Sequence, residues 1–106
     1  GLDALREAGT QVNSVTMIGG GARSRHWGSI IAAALGVRLD FVEGGEVGPA
    51  LGAAKLAQMA VTGASAREVC RKLPLTHSIA PDPELAERLA PKLEKFRRAY
   101  AAIRTL

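Results

Sequence analysis

Met17-Ile18-Gly19-Gly20-Gly21-Ala22-Arg23-Ser24 is the stretch of sequence that decides how this chain folds. The apolar run that enters it predicts a buried strand, and Ser24 is a residue type that caps helices. Three consecutive glycines lose much conformational entropy on folding, so they favour a place where the backbone turns sharply or touches another group. A strand, a glycine turn and a helix N-terminus together are typical of an anion site, usually one for phosphate.

Hydrophobic periodicity on either side of this stretch predicts alternating strands and helices, which is the pattern of an α/β unit. We expect residues 74–81 to be irregular or extended, and Pro91 to break or restart the terminal helix. The predicted elements, in chain order, are a helix over 2–8, a strand over 12–18, a helix over 24–35, a strand over 37–42, and helices over 50–62, over 65–73 and from 82 onward.

Two predicted strands are too few for an independent α/β sheet with both faces buried. Further strands must come from a longer parent protein or from a second copy of the chain. The sequence also opens inside a predicted helix. We therefore expect it to be part of a larger protein.

The composition limits which kinds of partner, and which cell compartment, we expect for this chain. The net charge of +4 over 106 residues is too diffuse to indicate a nucleic-acid partner. Cys70 is the single cysteine, which favours the reducing cytoplasm over secretion. No apolar run approaches the roughly 18 residues of a membrane span, and no signal-peptide pattern is present. We expect a cytoplasmic protein with neither a nucleic-acid nor a membrane partner.

As a pattern alone, the glycine stretch leaves three interpretations open. Gly19-x-Gly21-x-x-Ser24 nearly matches a dinucleotide fingerprint, and Asp40 lies at a suitable distance to contact a ribose. Against it, position 24 lacks the Gly or Ala that allows close packing between helix and strand. A mononucleotide site and a glycine turn without a ligand are the other two interpretations. A Walker loop is excluded because no Gly-Lys-Ser/Thr follows.

Two separated motifs make the sequence resemble the C-terminal domain of the FGGY carbohydrate kinases. The first is Gly19–Ser24 followed by Trp27 and Gly36, and the second is Glu46–Ala57. The tail, with Leu73-Pro74-Leu75 and Phe96-Arg97-Arg98, is most similar to the subgroup that phosphorylates D-xylulose. The resemblance implies an actin/hexokinase-like (RNase H-like) architecture, with residues 1–82 in the nucleotide-binding domain and residues 83–106 as a helical segment packed on it.

The same resemblance implies an ATP site between two lobes and Mg²⁺ in the parent enzyme, which would convert D-xylulose to D-xylulose 5-phosphate. Gly19, Gly20 and Gly21 would then admit the adenosine and α-phosphate to the backbone, while Ala22 and Arg23 would border the base and ribose. The helix of the second motif, through Gly48–Ala54, would lie beside the first helix and complete the wall of the adenine pocket.

No residue of this chain is predicted to be catalytic. Phosphorylation of a sugar requires a carboxylate base, a magnesium site and donors around the γ-phosphate. Asp3 and Asp82 lie in terminal or loop contexts without a partner motif. The resemblance places the catalytic aspartate and most sugar contacts in the absent N-terminal lobe, so we expect the chain alone to be inactive.

Other distinctive side chains have simpler structural interpretations, and no metal site is predicted. We expect Trp27 in the core, because it is in phase with the apolar positions of its helix. Glu43 and Glu46 are interpreted as solvated loop charges, with a water-mediated magnesium site as the alternative. The remaining expectations are a partly buried Cys70, solvated His26 and His77, and a solvated helix face carrying Arg97 and Arg98.

The terminal helix carries one apolar stripe, formed by Leu93, Phe96, Tyr100 and Ile103. An exposed stripe of this kind has to be covered by another surface. We therefore expect a homo-oligomer. A non-enzymatic assembly module and a small Rossmann-type nucleotide-binding module are the alternatives to a kinase segment.

Overall fold

The computed structural model describes all 106 residues, and its one sheet has three strands in the order β1-β2-β3. β1 (Ser14–Met17) pairs in parallel with β2 (Arg38–Val42), and β2 pairs antiparallel with β3 (Leu75–Ile79). The chain also forms five helices, of which α2 packs on the sheet: α1 (Leu2–Glu7), α2 (Arg25–Leu35), α3 (Gly48–Thr62), α4 (Ala66–Val69) and α5 (Pro83–Arg104). The predicted α/β class is therefore confirmed.

Two expectations for the C-terminal third have different outcomes. The segment expected to be irregular or extended contains the extended strand β3, whose pairing with β2 supplies backbone partners that a local pattern does not reveal. The expected break at Pro91 is wrong, since α5 runs unbroken from Pro83 to Arg104. A proline within a helix removes one backbone hydrogen bond, and the turns on both sides of this one hold the helix together.

The core lies between α2 and the sheet and is small. Leu39 and Phe41 of β2 pack against Ala32 of α2, and partly buried apolar side chains from β1, β3, α2 and the glycine turn surround them. Gly28 is buried in the same face, and a Cβ there would lie 2.9 Å from both the Ile79 Cδ1 and the Phe41 Cζ. The absence of a side chain at Gly28 is what lets α2 approach the sheet.

The prediction that Trp27 belongs to the core is wrong, because 50% of its surface is exposed. The helix meets the sheet through its smallest residues, Gly28 and Ala32, and this turns the indole away from the core. The Trp27 ring instead lies beside the glycine turn, where its Cδ1 is 3.2 Å from the position of a Cβ on Gly21.

The second motif does not pack as predicted. α3 has no buried residue and contacts mainly α4 and the short 3-10 turn Gly45–Val47 that precedes it. Only 7 of the 106 residues are buried in all, and none of them belongs to α3. The expectation that α3 lies beside α2 is wrong for this chain.

We predict opposite effects for the same substitution at two helical glycines. Gly28→Ala lowers the free energy of unfolding, because overpacking against Phe41 and Ile79, about 1–3 kcal/mol, outweighs the gain in helix propensity. Gly52→Ala raises it by about 1 kcal/mol, since Gly52 has open space around it within α3. Urea unfolding of both variants measures the difference; equal stabilisation by the two would contradict the packing described here.

Candidate functional site

The loops that carry both glycine motifs lie at one edge of the sheet. β1 and β2 are parallel, so their carboxyl ends, at Met17 and Val42, meet at that edge. β3 runs in the opposite direction and brings its amino end, Leu75, to the same place. In open α/β sheets, ligands bind in the crevice outside the carboxyl ends of parallel strands.

A backbone hydrogen bond joins the glycine turn to the residue that precedes the second motif. The Gly19 N–H donates to the Gly45 carbonyl at 2.9 Å. Gly45 is buried, and a Cβ there would lie 3.2 Å from the Val42 Cγ2. Gly48, the first residue of α3, also lies close to the entry of the glycine turn, since a Cβ on it would lie 3.1 Å from the Ile18 Cδ1. The loop before α3 and the first residue of α3 therefore contact the glycine turn, while the rest of α3 lies away from it.

The three consecutive glycines have three different environments. Gly19 has a φ of +87° and a ψ of −177°, a conformation essentially limited to glycine. Gly20 has no positive φ, and no atom lies within 4 Å of where its Cβ would be. Gly21 packs against Trp27 and Met17, each within 3.4 Å of a built Cβ. Gly20 therefore leaves the turn open to a ligand, whereas Gly19 and Gly21 give the turn its shape.

Ser24 caps the helix that leaves the turn, as the sequence predicts. Its hydroxyl accepts a hydrogen bond from the Trp27 N–H at 3.1 Å, and Gly36 ends the helix in a left-handed conformation. Between the strand and the cap, Gly20–Arg23 form a 3-10 turn. The expected order of strand, glycine turn and capped helix is confirmed.

A cleft of about 420 Å³ opens beside this turn. Ala22 and Arg23, predicted to border the base and ribose, are among its lining residues, while the three glycines are not. The whole lining comprises Met17, Ala22, Arg23, Phe41, Val42, Glu43, Gly44, Glu46, Thr76 and His77. The cleft thus brings together both loops and the start of β3, and no residue of α3 contributes to it.

His77 is a cleft residue that the sequence interpretation missed. It was expected in solvent, but it is half-buried on β3 and stacks on Phe41 with 4.3 Å between ring centroids. Its Nδ1 is 3.1 Å from the Thr76 Oγ1, and its buried Nε2 has no partner. Its position depends on the pairing of β3 with β2, which no local pattern in residues 74–81 indicates.

Asp40 does not lie free at a ribose position. Its carboxylate accepts hydrogen bonds from Arg38 at 2.8 and 3.1 Å and from the Ser78 hydroxyl at 2.7 Å. These donors, the Arg38 guanidinium first, lower the pKa of Asp40 below its ordinary value of 3.8. Because the carboxylate is engaged across β2 and β3, Asp40 stabilises the sheet and does not support the dinucleotide interpretation.

The expectations for the other single residues agree with the structure in some cases and not in others. His26 is exposed, and Arg97 and Arg98 lie on an exposed face, as predicted. Cys70 is exposed just after α4, so the expectation that it is partly buried is wrong. Glu43 and Glu46 are exposed, and no group of three or more His, Cys, Asp or Glu side chains in the chain could hold a metal ion. None of the five helices has the length and hydropathy needed to cross a bilayer.

Comparison with known proteins finds similarity to carbohydrate kinases. Residues 1–61 match the C-terminal domain of the FGGY family of carbohydrate kinases. The chain is 46% identical to a xylulose kinase of Escherichia coli over 101 residues, which is 94% of this chain and 21% of the relative. It is 37% identical to a xylulose kinase of Klebsiella pneumoniae over 107 residues, covering 100% of this chain and 22% of the relative.

Solved structures agree with these relatives. A crystal structure described as a xyloylose kinase of Brucella ovis matches with a TM-score of 0.71 and 36% identity, over 98% of this chain and 22% of that one. The xylulose kinase of Rhodospirillum rubrum matches with a TM-score of 0.62 and 26% identity, over 98% of this chain and 21% of that one. The expected actin/hexokinase-like architecture is confirmed, and the chain spans about a fifth of the length of these relatives.

We predict that the first two glycines of the turn tolerate alanine differently. Gly19→Ala costs about 1–3 kcal/mol of unfolding free energy, because alanine is strained at a φ of +87°. Gly20→Ala is the matched control, with open space and no positive φ, and it leaves stability nearly unchanged. Thermal unfolding compares the two; equal melting temperatures for both variants would show that the turn does not have this conformation.

We predict a pH-dependent role for Asp40. A lowered carboxyl pKa stabilises the fold above about 3.8, the pKa of the unfolded chain, and this stability is lost as the pH falls through the folded value. Asp40→Asn therefore lowers the melting temperature at pH 7, and the gap to the unmodified chain closes in acid. Asp3→Asn, which breaks only the exposed pair with Arg97, has a small effect at pH 7. A gap for Asp40→Asn that stays constant with pH would refute the assignment.

Proposed function

Because this chain belongs to the FGGY family of carbohydrate kinases, we propose that it forms the adenosine side of the ATP site in a kinase of D-xylulose. The reaction transfers the γ-phosphoryl group of ATP to a sugar hydroxyl and gives D-xylulose 5-phosphate. The xylulose kinases of Escherichia coli and Klebsiella pneumoniae, which match almost the whole chain, support this choice of sugar.

The observation that carries the nucleotide assignment is the glycine turn at the carboxyl end of β1. The hydrogen bond between Gly19 and Gly45 holds it, and Gly20 leaves it open. In the proposed site, Gly19, Gly20 and Gly21 admit the adenosine and α-phosphate to the backbone. Ala22 and Arg23 border the base and ribose, and their position on the cleft supports this role.

We assign phosphoryl transfer to residues outside this chain. Each of its three aspartates has a structural partner: Asp3 pairs with Arg97, Asp40 with Arg38, and Asp82 accepts the Glu84 N–H at the start of α5. None is therefore placed to act as the catalytic base. In the proposed enzyme, that base, most sugar contacts and the Mg²⁺ that accompanies ATP belong to the absent lobe, and the chain by itself transfers no phosphoryl group.

Exposed apolar surfaces support a position inside a larger kinase. β1 is an edge strand of the sheet. Parallel strands normally belong to sheets whose two faces are both covered. α3 is rich in apolar residues and has no fully buried residue, with Leu56 at 65% exposure. We propose that the remainder of the enzyme supplies the strands next to β1 and the surface that covers α3.

The alternatives keep only limited support. The Rossmann-type dinucleotide module loses its ribose contact, because the Asp40 carboxylate is already bonded. An assembly module is favoured only by the stripe on α5, where Phe96, Tyr100 and Ile103 are each more than 60% exposed. We keep homo-oligomerisation through that stripe as part of the proposal. We also keep a cytoplasmic location, which is consistent with the exposed free thiol of Cys70.

We test the proposal in a chimera in which this chain replaces the matched segment of the Escherichia coli xylulose kinase. Gly20→Val fills the open side of the turn without requiring a positive φ. Because it obstructs only the nucleotide, it raises KM for ATP roughly ten-fold or more, the loss expected when about 1.4 kcal/mol of binding is removed. KM for D-xylulose stays unchanged in a coupled assay of steady-state kinetics.

The control variant is Ala99→Val, which also introduces a valine, at an exposed position of α5. It leaves both KM values as they are in the unmodified chimera. The proposal fails if Gly20→Val leaves KM for ATP unaltered, or if Ala99→Val raises it equally.

A further inference from the structure

The indole of Trp27 is a large aromatic group beside the glycine turn, and it belongs neither to the core nor to the lining of the cleft. Half of its surface is exposed. Its Cδ1 and Nε1 lie 3.2 and 3.4 Å from the position of a Cβ on Gly21. Because Gly21 has no side chain, this contact places the ring next to the backbone of the turn.

Three contacts link the glycine turn to the start of α2. The Ser24 N–H donates to the Gly21 carbonyl at 3.1 Å, and the Ser24 hydroxyl accepts a hydrogen bond from the Trp27 N–H at 3.1 Å. The packing of the Trp27 ring on Gly21 is the third contact. Each of the three residues therefore contacts the other two, so a change in the shape of the turn displaces the ring or the helix cap.

The residue that follows Trp27 fixes α2 on the sheet. Gly28 is buried, and a Cβ there would lie 2.9 Å from both the Phe41 Cζ and the Ile79 Cδ1. Successive residues of an α-helix point about 100° apart, so a Gly28 directed at the sheet turns Trp27 to the flank of the helix. The glycine turn thus takes its position from the core through Gly28, Trp27 and Gly21.

The ring supports the turn without filling the space that is open to a ligand. Gly21 contacts Trp27 of α2 and also Met17 of β1, whose Cε lies 3.3 Å from the position of a Cβ. At Gly20, no atom lies within 4 Å of that position. The supported residue of the turn and its open residue are therefore different ones.

We propose that Trp27 is a positioning residue for the nucleotide, which acts through Gly21 to hold the turn in the shape that receives the adenosine side of ATP. This inference rests on the proposed function, because the shape of the turn matters for ATP only if the turn binds it. Binding sites are held in place by supporting groups whose own positions are fixed by packing and hydrogen bonds. Trp27 touches the turn and not the nucleotide, so it contributes to the affinity for ATP and not to phosphoryl transfer.

Steady-state kinetics of the chimera test this role with two substitutions of the ring. Trp27→Ala raises KM for ATP roughly five-fold, because residues in contact are coupled by energies of that order. Both kcat and KM for D-xylulose stay unchanged, as expected when an interaction made equally in the ground state and the transition state is lost. Trp27→Phe brings KM for ATP back to within about two-fold of the unmodified chimera, since a smaller aromatic ring fills much of the same space.

A double variant shows whether Trp27 acts through Gly21. Gly21→Ala alone raises KM for ATP, because its Cβ displaces the ring. Without the ring, only the flexible end of Met17 opposes that Cβ, and it can move aside. The double variant Gly21→Ala, Trp27→Ala therefore has about the same KM for ATP as Trp27→Ala. If the two fold-changes multiply instead, the residues act separately and the proposal is overturned.

The control variant is His26→Ala, which removes a ring at the exposed position next to Trp27 in α2. It leaves KM for ATP as it is in the unmodified chimera, and an equal rise in this variant overturns the role given to Trp27. Should the Trp27→Ala chimera not fold, Trp27→Leu takes its place, with a rise of about two-fold in KM for ATP. No rise in Trp27→Leu overturns the proposal.

The outcomes keep this inference apart from the proposed function. If Gly20→Val raises KM for ATP and Trp27→Ala does not, Trp27 has no positioning role and the nucleotide site stands. A rise in KM for both substrates in Trp27→Ala also overturns the inference, because it shows a general loss of structure. If Gly20→Val leaves KM for ATP unaltered, the proposed function itself fails.

Discussion

The hydrogen bond from the Gly19 N–H to the Gly45 carbonyl is the contact on which the candidate site depends. It joins segments that are 26 positions apart and sets both loops at the carboxyl ends of β1 and β2. Gly19 makes the bond through a backbone conformation that other residues rarely adopt, and Gly45 is buried beneath it. The turn and the cleft beside it both depend on this one connection.

The sequence correctly predicted the structural elements that depend on residues close together in the chain. A glycine turn, a Ser cap and an apolar strand can be recognised within a few residues, and β1, the turn and α2 have the expected order. The two motifs also pointed to the correct family, because their chemistry and spacing are specific. The roles of Gly19, Gly20, Gly21, Ala22 and Arg23 in nucleotide binding stay a prediction, although Ala22 and Arg23 do border a cleft.

What the sequence did not predict depends on contacts between distant residues. β3 forms because β2 offers it a register, and this pairing places His77 in the cleft. Trp27 has the helical phase of a core residue, yet Gly28 brings α2 so close to the sheet that Phe41 and Ile79 occupy that space. Pro91 is the opposite case. A proline locally disfavours a helix, but the turns on both sides of Pro91 keep α5 continuous.

The central claim is that the glycine turn holds the adenosine side of ATP. A crystal structure of the chimera with a non-hydrolysable ATP analogue tests it most directly. The account predicts the adenosine and the α-phosphate against the backbone of residues 19–21, with Ala22 and Arg23 beside the base and ribose. A nucleotide bound elsewhere in the enzyme, with residues 19–23 free of it, would contradict the account.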